Sequence, residues 1–115
     1  MREERRKYHR VKLRVPVEIR PEANESPIRT ETTDLSLSGL YVEMLFTLEI
    51  GTQVEITLRA GDSSLLALGE VVTCDRTVGN GIRFTRILPE DREELDRFLQ
   101  TAEERQEAET HSEDR

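Results

Sequence analysis

Two short stretches of the chain carry residue types that could bind a small charged ligand. The first is Asp34-Leu35-Ser36-Leu37-Ser38-Gly39, which places a carboxylate, hydroxyls and a glycine at fixed spacing between two apolar segments. A carboxylate and a hydroxyl can accept hydrogen bonds from a base, and a glycine lets a ligand approach the backbone. The second, Arg5-Arg6-Lys7-Tyr8-His9-Arg10, is a dense cationic cluster. Together they suit an anionic ligand that carries a base.

Both stretches also have an interpretation that involves no ligand. Asp34 and Ser36 could cap neighbouring backbone N–H groups in a local turn, and Gly39 could adopt a positive φ before the next strand begins. The arginines of the cationic cluster could simply lie on a solvated arm. The choice between these interpretations depends on the elements that position the two stretches.

Length and charge limit the classes of protein. The 115 residues suffice for one domain, and the net charge is −7. Residues 1–20 hold eight Lys or Arg against three Glu, whereas residues 90–115 hold four against eleven Asp or Glu. An acidic chain is a poor general binder of nucleic acid, because nonspecific affinity comes from neutralising many phosphates. One small anion fits better than a polymer.

Cysteine content and hydropathy indicate the compartment. The lone Cys74 permits no intrachain disulfide, and the charged N-terminus lacks the apolar stretch of a signal peptide. No segment approaches the length of about 18 apolar residues that a membrane span requires. We therefore expect a cytoplasmic protein that does not insert into a membrane.

The periodicity of the chain predicts mainly β-structure. Pro16 interrupts the first strand and removes a backbone donor, so we expect this strand to lie at a sheet edge or to contain a bulge. Short strands separated by turn signals, with no helical periodicity between them, favour an antiparallel sheet closed into a small barrel. The predicted strands are 11–20, 28–35, 40–46, 52–59, 65–74 and 81–86.

The C-terminal part of the chain predicts one helix. Pro89 suits the first turn, and the acidic residues that follow it favour the positive end of the helix dipole. An apolar stripe at helical spacing should dock on the barrel as core; it consists of Leu95, Phe98, Leu99 and Ala102. The stripe ends there, so we expect residues 104–115 to form an acidic, disordered tail.

The sequence contains no recognisable catalytic or metal constellation. His9 and His111 are far apart and lack the Cys or carboxylate pattern of a metal site, and Cys74 at a strand end is better explained as a small buried apolar residue than as a nucleophile. No serine lies in a Gly-x-Ser-x-Gly elbow, and no Gly-rich phosphate loop precedes a helix. The interpretation is a binding protein, not an enzyme.

With the elements placed, nearly the whole chain resembles the PilZ domain family. The RxxxR motif of the family is matched by Arg6 to Arg10, and its [D/N]xSxxG motif by Asp34 to Gly39. The family's Gly-apolar-x-Phe strand is matched by Gly81-Ile82-Arg83-Phe84. The resemblance implies a six-stranded antiparallel β-barrel with a C-terminal α-helix that serves as a receptor for cyclic di-GMP (c-di-GMP). It divides the chain into a flexible basic arm (1–10), a barrel with its helix (11–103) and the acidic tail.

The resemblance also implies which residues bind the nucleotide. The implied ligand-binding residues are Arg5, Arg6, Arg10, Asp34, Ser36 and Gly39, with Ser38, Gly81 and Arg83 as further candidates. An Arg fork can give two parallel hydrogen bonds to guanine or pair with a phosphate. In the family, an Arg at the position of Arg5 is associated with two intercalated cyclic di-GMP molecules. We therefore expect two nucleotides per chain, with no cofactor and no metal.

The expected function is that of a cyclic di-GMP receptor that orders its N-terminal arm on binding and relays the signal to an effector protein. Two alternatives remain open at this point. A PilZ-like adaptor could contact a protein partner without nucleotide, although both motifs are intact here. A small barrel could instead bind single-stranded nucleic acid, but that use requires aromatic platforms on a basic groove, and the chain has only two Tyr and three Phe.

Overall fold

The computed structural model describes residues 10–23 and 26–113. In this part of the chain, seven strands are followed by one helix. The strands are β1 (Val11–Lys12), β2 (Pro16–Pro21), β3 (Ile28–Leu35), β4 (Gly39–Glu43), β5 (Gln53–Ala60), β6 (Ser63–Asp75) and β7 (Gly79–Ile87), and the helix is α1 (Pro89–Glu113).

Six of these strands close into a barrel. Their order is β3-β2-β5-β6-β7-β4, every neighbouring pair is antiparallel, and β4 pairs back to β3. The short β1 is an additional strand on β3. The predicted six-stranded antiparallel barrel with a C-terminal helix is confirmed.

The core fills the barrel with one face of each strand and is covered by α1. Each fully buried aliphatic side chain contributes about 1.5–3 kcal/mol of transfer free energy. The largest such side chains are Ile19, Leu35, Val42, Ile56, Val71 and Leu95.

The first predicted strand is broken between Lys12 and Pro16. Of the two expectations for Pro16, an edge position is wrong, and the irregularity falls just before Pro16, where the alternative of a bulge was expected. β2 lies between β3 and β5, and Pro16 is its first residue, where a missing donor is tolerated. The break is held by the fully buried Thr32 of β3. Its hydroxyl accepts from the Val15 N–H at 3.1 Å and donates to the Leu13 carbonyl at 2.6 Å. This side chain adds to two backbone bonds that persist across the interruption, from the Leu13 N–H to the Thr33 carbonyl at 3.1 Å and from the Thr32 N–H to the Val15 carbonyl at 3.0 Å.

The helix docks as predicted but is longer than predicted. Leu95 and Leu99 are buried, and Phe98 and Ala102 pack against the core. The helical backbone continues to Glu113, so the expected disorder from residue 104 is corrected over 104–113. Ala, Glu, Gln and Arg in this segment have high helix propensity, and Gln106 Nε2 donates to the Lys12 carbonyl at 2.7 Å. Within the described residues, no helix is both long and apolar enough to cross a membrane.

Candidate ligand-binding site

The turn between β3 and β4 is built around Ser36. Ser36 is buried, and its N–H donates to the Gly39 carbonyl at 2.9 Å. Its hydroxyl oxygen accepts from the Ser38 N–H at 3.1 Å and lies 3.0 Å from the Ser38 hydroxyl. The local Ser turn considered from the sequence is therefore present. The hydrogen bonds of the Ser36 side chain therefore stabilise the turn.

Gly39 is required by strand packing rather than by a turn conformation. Among the described glycines, positive φ occurs at Gly51 and Gly61, so the positive φ expected at Gly39 is wrong. Gly39 is the first residue of β4 and pairs with Arg83 of β7. A Cβ added at Gly39 would lie 2.2 Å from the carbonyl oxygen of Ile82. The glycine thus permits β4 to approach β7 closely.

An ion pair joins the two motif-bearing stretches. Arg10 Nη1 lies 3.4 Å from Asp34 Oδ1 across a separation of 24 residues in sequence. The β1–β3 pairing explains the contact, because it sets Lys12 opposite Asp34 and so brings the preceding chain to that carboxylate. The Arg10 side chain is 70% exposed and that of Asp34 is 19% exposed. An exposed pair of this kind contributes at most about 1 kcal/mol to stability, so the guanidinium can exchange partners at little cost.

A groove of about 420 Å³ crosses β4, β6 and β7 beside this ion pair. Five of the residues singled out from the sequence line it, and we call it the motif groove: Arg10, Ser38, Gly39, Gly81 and Arg83. A Cβ at Gly81 would lie 3.0 Å from Thr73 Cβ, so this glycine also serves close packing. Arg5 and Arg6 lie outside the described residues.

Two residues of the site, Tyr41 and Glu70, were missed from the sequence. Tyr41 lines the motif groove and donates from its hydroxyl to Asp75 Oδ2 at 2.5 Å. Burial and this hydrogen bond raise the pKa of Tyr41 to about 12, which favours the protonated hydroxyl that donates to Asp75. Glu70 of β6 holds Arg83 by an ion pair of 2.8 Å. The available signal was the alternation of the sequence in β4, which puts Leu40 and Val42 on one face and Tyr41 on the other.

The described residues contain no group of three or more His, Cys, Asp or Glu side chains arranged to hold a metal ion. The donors and acceptors of the motif groove are instead guanidinium, hydroxyl and backbone groups, with one aromatic ring. Such groups bind anions and planar bases.

Comparison with protein families gives one decisive result. The PilZ domain model matches residues 4–101, a span that contains both motif strings and all seven strands. The chain belongs to the PilZ domain family. The C-terminal part of α1, beyond residue 101, lies outside the matched PilZ domain.

Solved PilZ structures share the fold. The PilZ domain of CeSA from a cellulose-synthesizing bacterium is 21% identical, with a TM-score of 0.67 over 83% of this chain and 98% of its own. The PilZ domain of YcgR from Escherichia coli with c-di-GMP is 17% identical, with a TM-score of 0.74 over 93% and 98%. A structure of Escherichia coli YcgR in complex with c-di-GMP is 23% identical, with a TM-score of 0.75 over 96% of this chain and 51% of that protein. The comparison with curated proteins returned no match.

Proposed function

We propose that this PilZ domain is a receptor for cyclic di-GMP. The observation that carries the proposal is the contact between Arg10 and Asp34, which joins the RxxxR and [D/N]xSxxG motifs and in which Arg10 also lines the motif groove. The two similar structures of Escherichia coli YcgR contain c-di-GMP, which supports the same ligand class here.

The chemistry of the groove suits each part of this ligand. Arg6 and Arg10 supply guanidinium forks for guanine O6 and N7 or for a phosphate. The Asp34 carboxylate, released from Arg10, accepts from guanine N–H donors, and the ring of Tyr41 offers a surface on which a base can stack. Ser38 and the backbone at Gly39 complete the contacts. These contacts to the guanine bases and to the phosphates require neither a metal nor a cofactor.

A calorimetric titration tests the proposal directly. Cyclic di-GMP is compared with GTP, linear pGpG and a single-stranded oligonucleotide on the same protein. Saturable binding of cyclic di-GMP in preference to the other three is the expected result. Binding of none of them would favour a PilZ adaptor that acts without nucleotide, and preference for the oligonucleotide would favour a nucleic-acid function.

Ligand binding should also order the N-terminal arm. Residues 1–10 carry only Met1 and Tyr8 as apolar side chains, so few contacts other than those through a ligand can hold them on the barrel. We expect amide hydrogen exchange over residues 1–12 to slow when cyclic di-GMP is added, while exchange in β5 stays unchanged. Equal protection of these amides with and without nucleotide would show that ligand binding does not order the arm.

The ordered arm would present a new surface to an effector protein, which is the proposed route of signalling. A pull-down from cell lysate with and without cyclic di-GMP tests this step. A partner captured only in the presence of nucleotide is the expected result, and identical captures in both conditions would contradict it.

The number of bound ligands depends on Arg5. Two stacked nucleotides bring four phosphates together, and their repulsion requires an added cation and a guanidinium face. We expect native mass measurement to find two nucleotides per parent chain at saturation and a shift toward one in Arg5→Leu. One nucleotide on the parent chain, or two on the variant, would contradict this role.

A further inference from the structure

The outer face of β6 carries an apolar patch beside a strand whose outer face is polar. The residues that point outward along β5 are Gln53, Glu55, Thr57 and Arg59. In β6, by contrast, Leu66 and Leu68 point outward, and Leu88, just before α1, lines the same shallow groove of about 270 Å³. These three side chains, which we call the leucine patch, are 44–58% exposed. Single exposed leucines are common on protein surfaces, whereas a contiguous group of them indicates an interaction surface.

The backbone beneath the leucine patch is held by hydrogen bonds on every side. β6 pairs with β5 on one side and with β7 on the other. Where the pairing with β7 ends, the Leu66 N–H donates instead to Asp91 Oδ2 of α1 at 3.2 Å. The Leu88 carbonyl accepts from the Arg92 N–H at 2.9 Å. The patch is therefore formed before any partner binds, which lowers the entropy cost of association.

Two opposite charges flank the leucine patch in one row across the sheet. Glu55 of β5 pairs with Leu68, and Leu68 pairs with Arg86 of β7, so an acid and a base lie on either side of the central leucine. Their Cα atoms are roughly 10 Å apart, twice the spacing of adjacent strands. Both residues are exposed, and neither makes an ion pair with any residue that the structure describes. An apolar strip with an acid on one side and a base on the other is complementary to a copy of itself.

We propose that the leucine patch is the interface of a symmetric homodimer, in which the β6 strands of two copies pack face to face. A two-fold axis that lies between the two sheets and runs parallel to β6 sets Glu55 of each copy opposite Arg86 of the other. An axis between the sheets and perpendicular to the strands would instead set Glu55 against Glu55 and Arg86 against Arg86. The charges therefore favour the parallel axis. Leu66 and Leu68 then meet their counterparts across the spacing of about 10 Å at which sheets pack.

Dimerisation would leave the motif groove open, because the two grooves share no lining residue. Dimer formation and nucleotide binding are thus independent, and either property can be absent without the other. The curvature of the barrel restricts the contact to the strands around β6. The interface is therefore small, and we expect a weak dimer with a Kd in the micromolar range.

Two charge reversals test the interface and its symmetry together, with Kd measured by sedimentation velocity from low micromolar to near-millimolar protein. Glu55→Arg and Arg86→Glu each set like charges opposite one another, so each variant alone should dimerise at least about tenfold more weakly than the parent. An equimolar mixture of the two variants restores two opposite-charge contacts per dimer and should associate as tightly as the parent. Arg59→Glu is the matched control, because it changes the net charge as Arg86→Glu does, at an exposed residue of β5 that does not line the groove. It should dimerise like the parent.

Removal of the central leucine is the complementary test. Leu68→Ser should also weaken dimerisation at least about tenfold, because it takes away the apolar centre of the patch. A parent that stays monomeric over the whole concentration range would overturn the proposal, and so would a dimer that is unchanged in Leu68→Ser. A mixture of the two charge variants that fails to associate would show that Glu55 and Arg86 do not meet across the axis. Circular dichroism of each variant checks the fold, which we expect to stay intact because the substituted side chains are exposed.

Discussion

Replacement of Arg10 by Ala is expected to weaken cyclic di-GMP binding by about 3 kcal/mol or more, which is roughly a hundredfold in Kd, and to leave the fold intact. The binding loss is large because a fork to guanine or phosphate leaves its partners unpaired when it is removed. The stability loss is small because the Arg10 side chain is 70% exposed and its pair with Asp34 is 3.4 Å long. Calorimetry and thermal unfolding measure the two quantities separately.

Arg14→Ala is the matched control for that experiment. Arg14 also lies near the N-terminus, is 59% exposed and makes surface ion pairs with Glu31 and Glu43, at 3.7 and 3.6 Å. It does not line the motif groove, so its removal should leave Kd unchanged. Asp34→Ala should weaken binding as well, with a small loss of stability. Parent-like affinity in both Arg6→Ala and Arg10→Ala would show that the arginine assignment is wrong.

The elements of the barrel were predictable because each strand carries a local, periodic signal. The alternation of residues 11–20 correctly predicts that Val15, Val17 and Ile19 are buried. The alternation does not predict the interruption of that strand. The interruption is stabilised by Thr32, whose hydroxyl accepts from the Val15 N–H 17 positions away. Long-range side-chain contacts of this kind leave no trace in a local pattern.

The end of α1 was misplaced for a related reason. The apolar stripe stops at Ala102, and the prediction treated the end of the stripe as the end of the helix. A helix requires an apolar face only where it packs on other elements. Beyond that point the helix is stabilised by backbone hydrogen bonds and by the high helix propensity of Glu, Gln and Ala. Gln106 also donates a hydrogen bond to the Lys12 carbonyl. The division of the chain at residues 10 and 103 stays a prediction.

The site shows a different limit of sequence interpretation. The motif residues were identified by type and spacing, and the structure brings Arg10, Ser38, Gly39, Gly81 and Arg83 to one groove. Spacing alone could not predict Tyr41 and Glu70 as members of the site, because their roles depend on partners on other strands, Asp75 and Arg83. The motif also does not indicate whether its glycine, Gly39, is required for contact with the ligand or for the close approach of two strands.

Gly39→Ala decides between those two roles of the motif glycine, and we expect it to destabilise the barrel by about 3 kcal/mol. The added Cβ would lie 2.2 Å from the carbonyl oxygen of Ile82. The obstacle is backbone, which no rotamer change can move. The strand pair that must separate is β4–β7, and the Ser38 carbonyl next to it accepts from the Phe84 N–H at 2.9 Å. Relief of the overlap therefore disturbs both the closed barrel and the motif turn.

Two further Gly→Ala variants make this prediction specific. Gly79 lies outside the motif, but its Cβ would lie 2.3 Å from the Val42 carbonyl oxygen, so Gly79→Ala should be destabilised to a similar extent. Gly61 has φ +64 and open space around it, so Gly61→Ala should lose only about 1 kcal/mol, the cost of a left-handed conformation. Urea denaturation of the three variants measures their free energies of unfolding and so gives the order of their stabilities. If Gly39→Ala is as stable as the parent yet fails to bind cyclic di-GMP, the motif glycine serves the approach of the ligand, and its role in barrel closure is wrong.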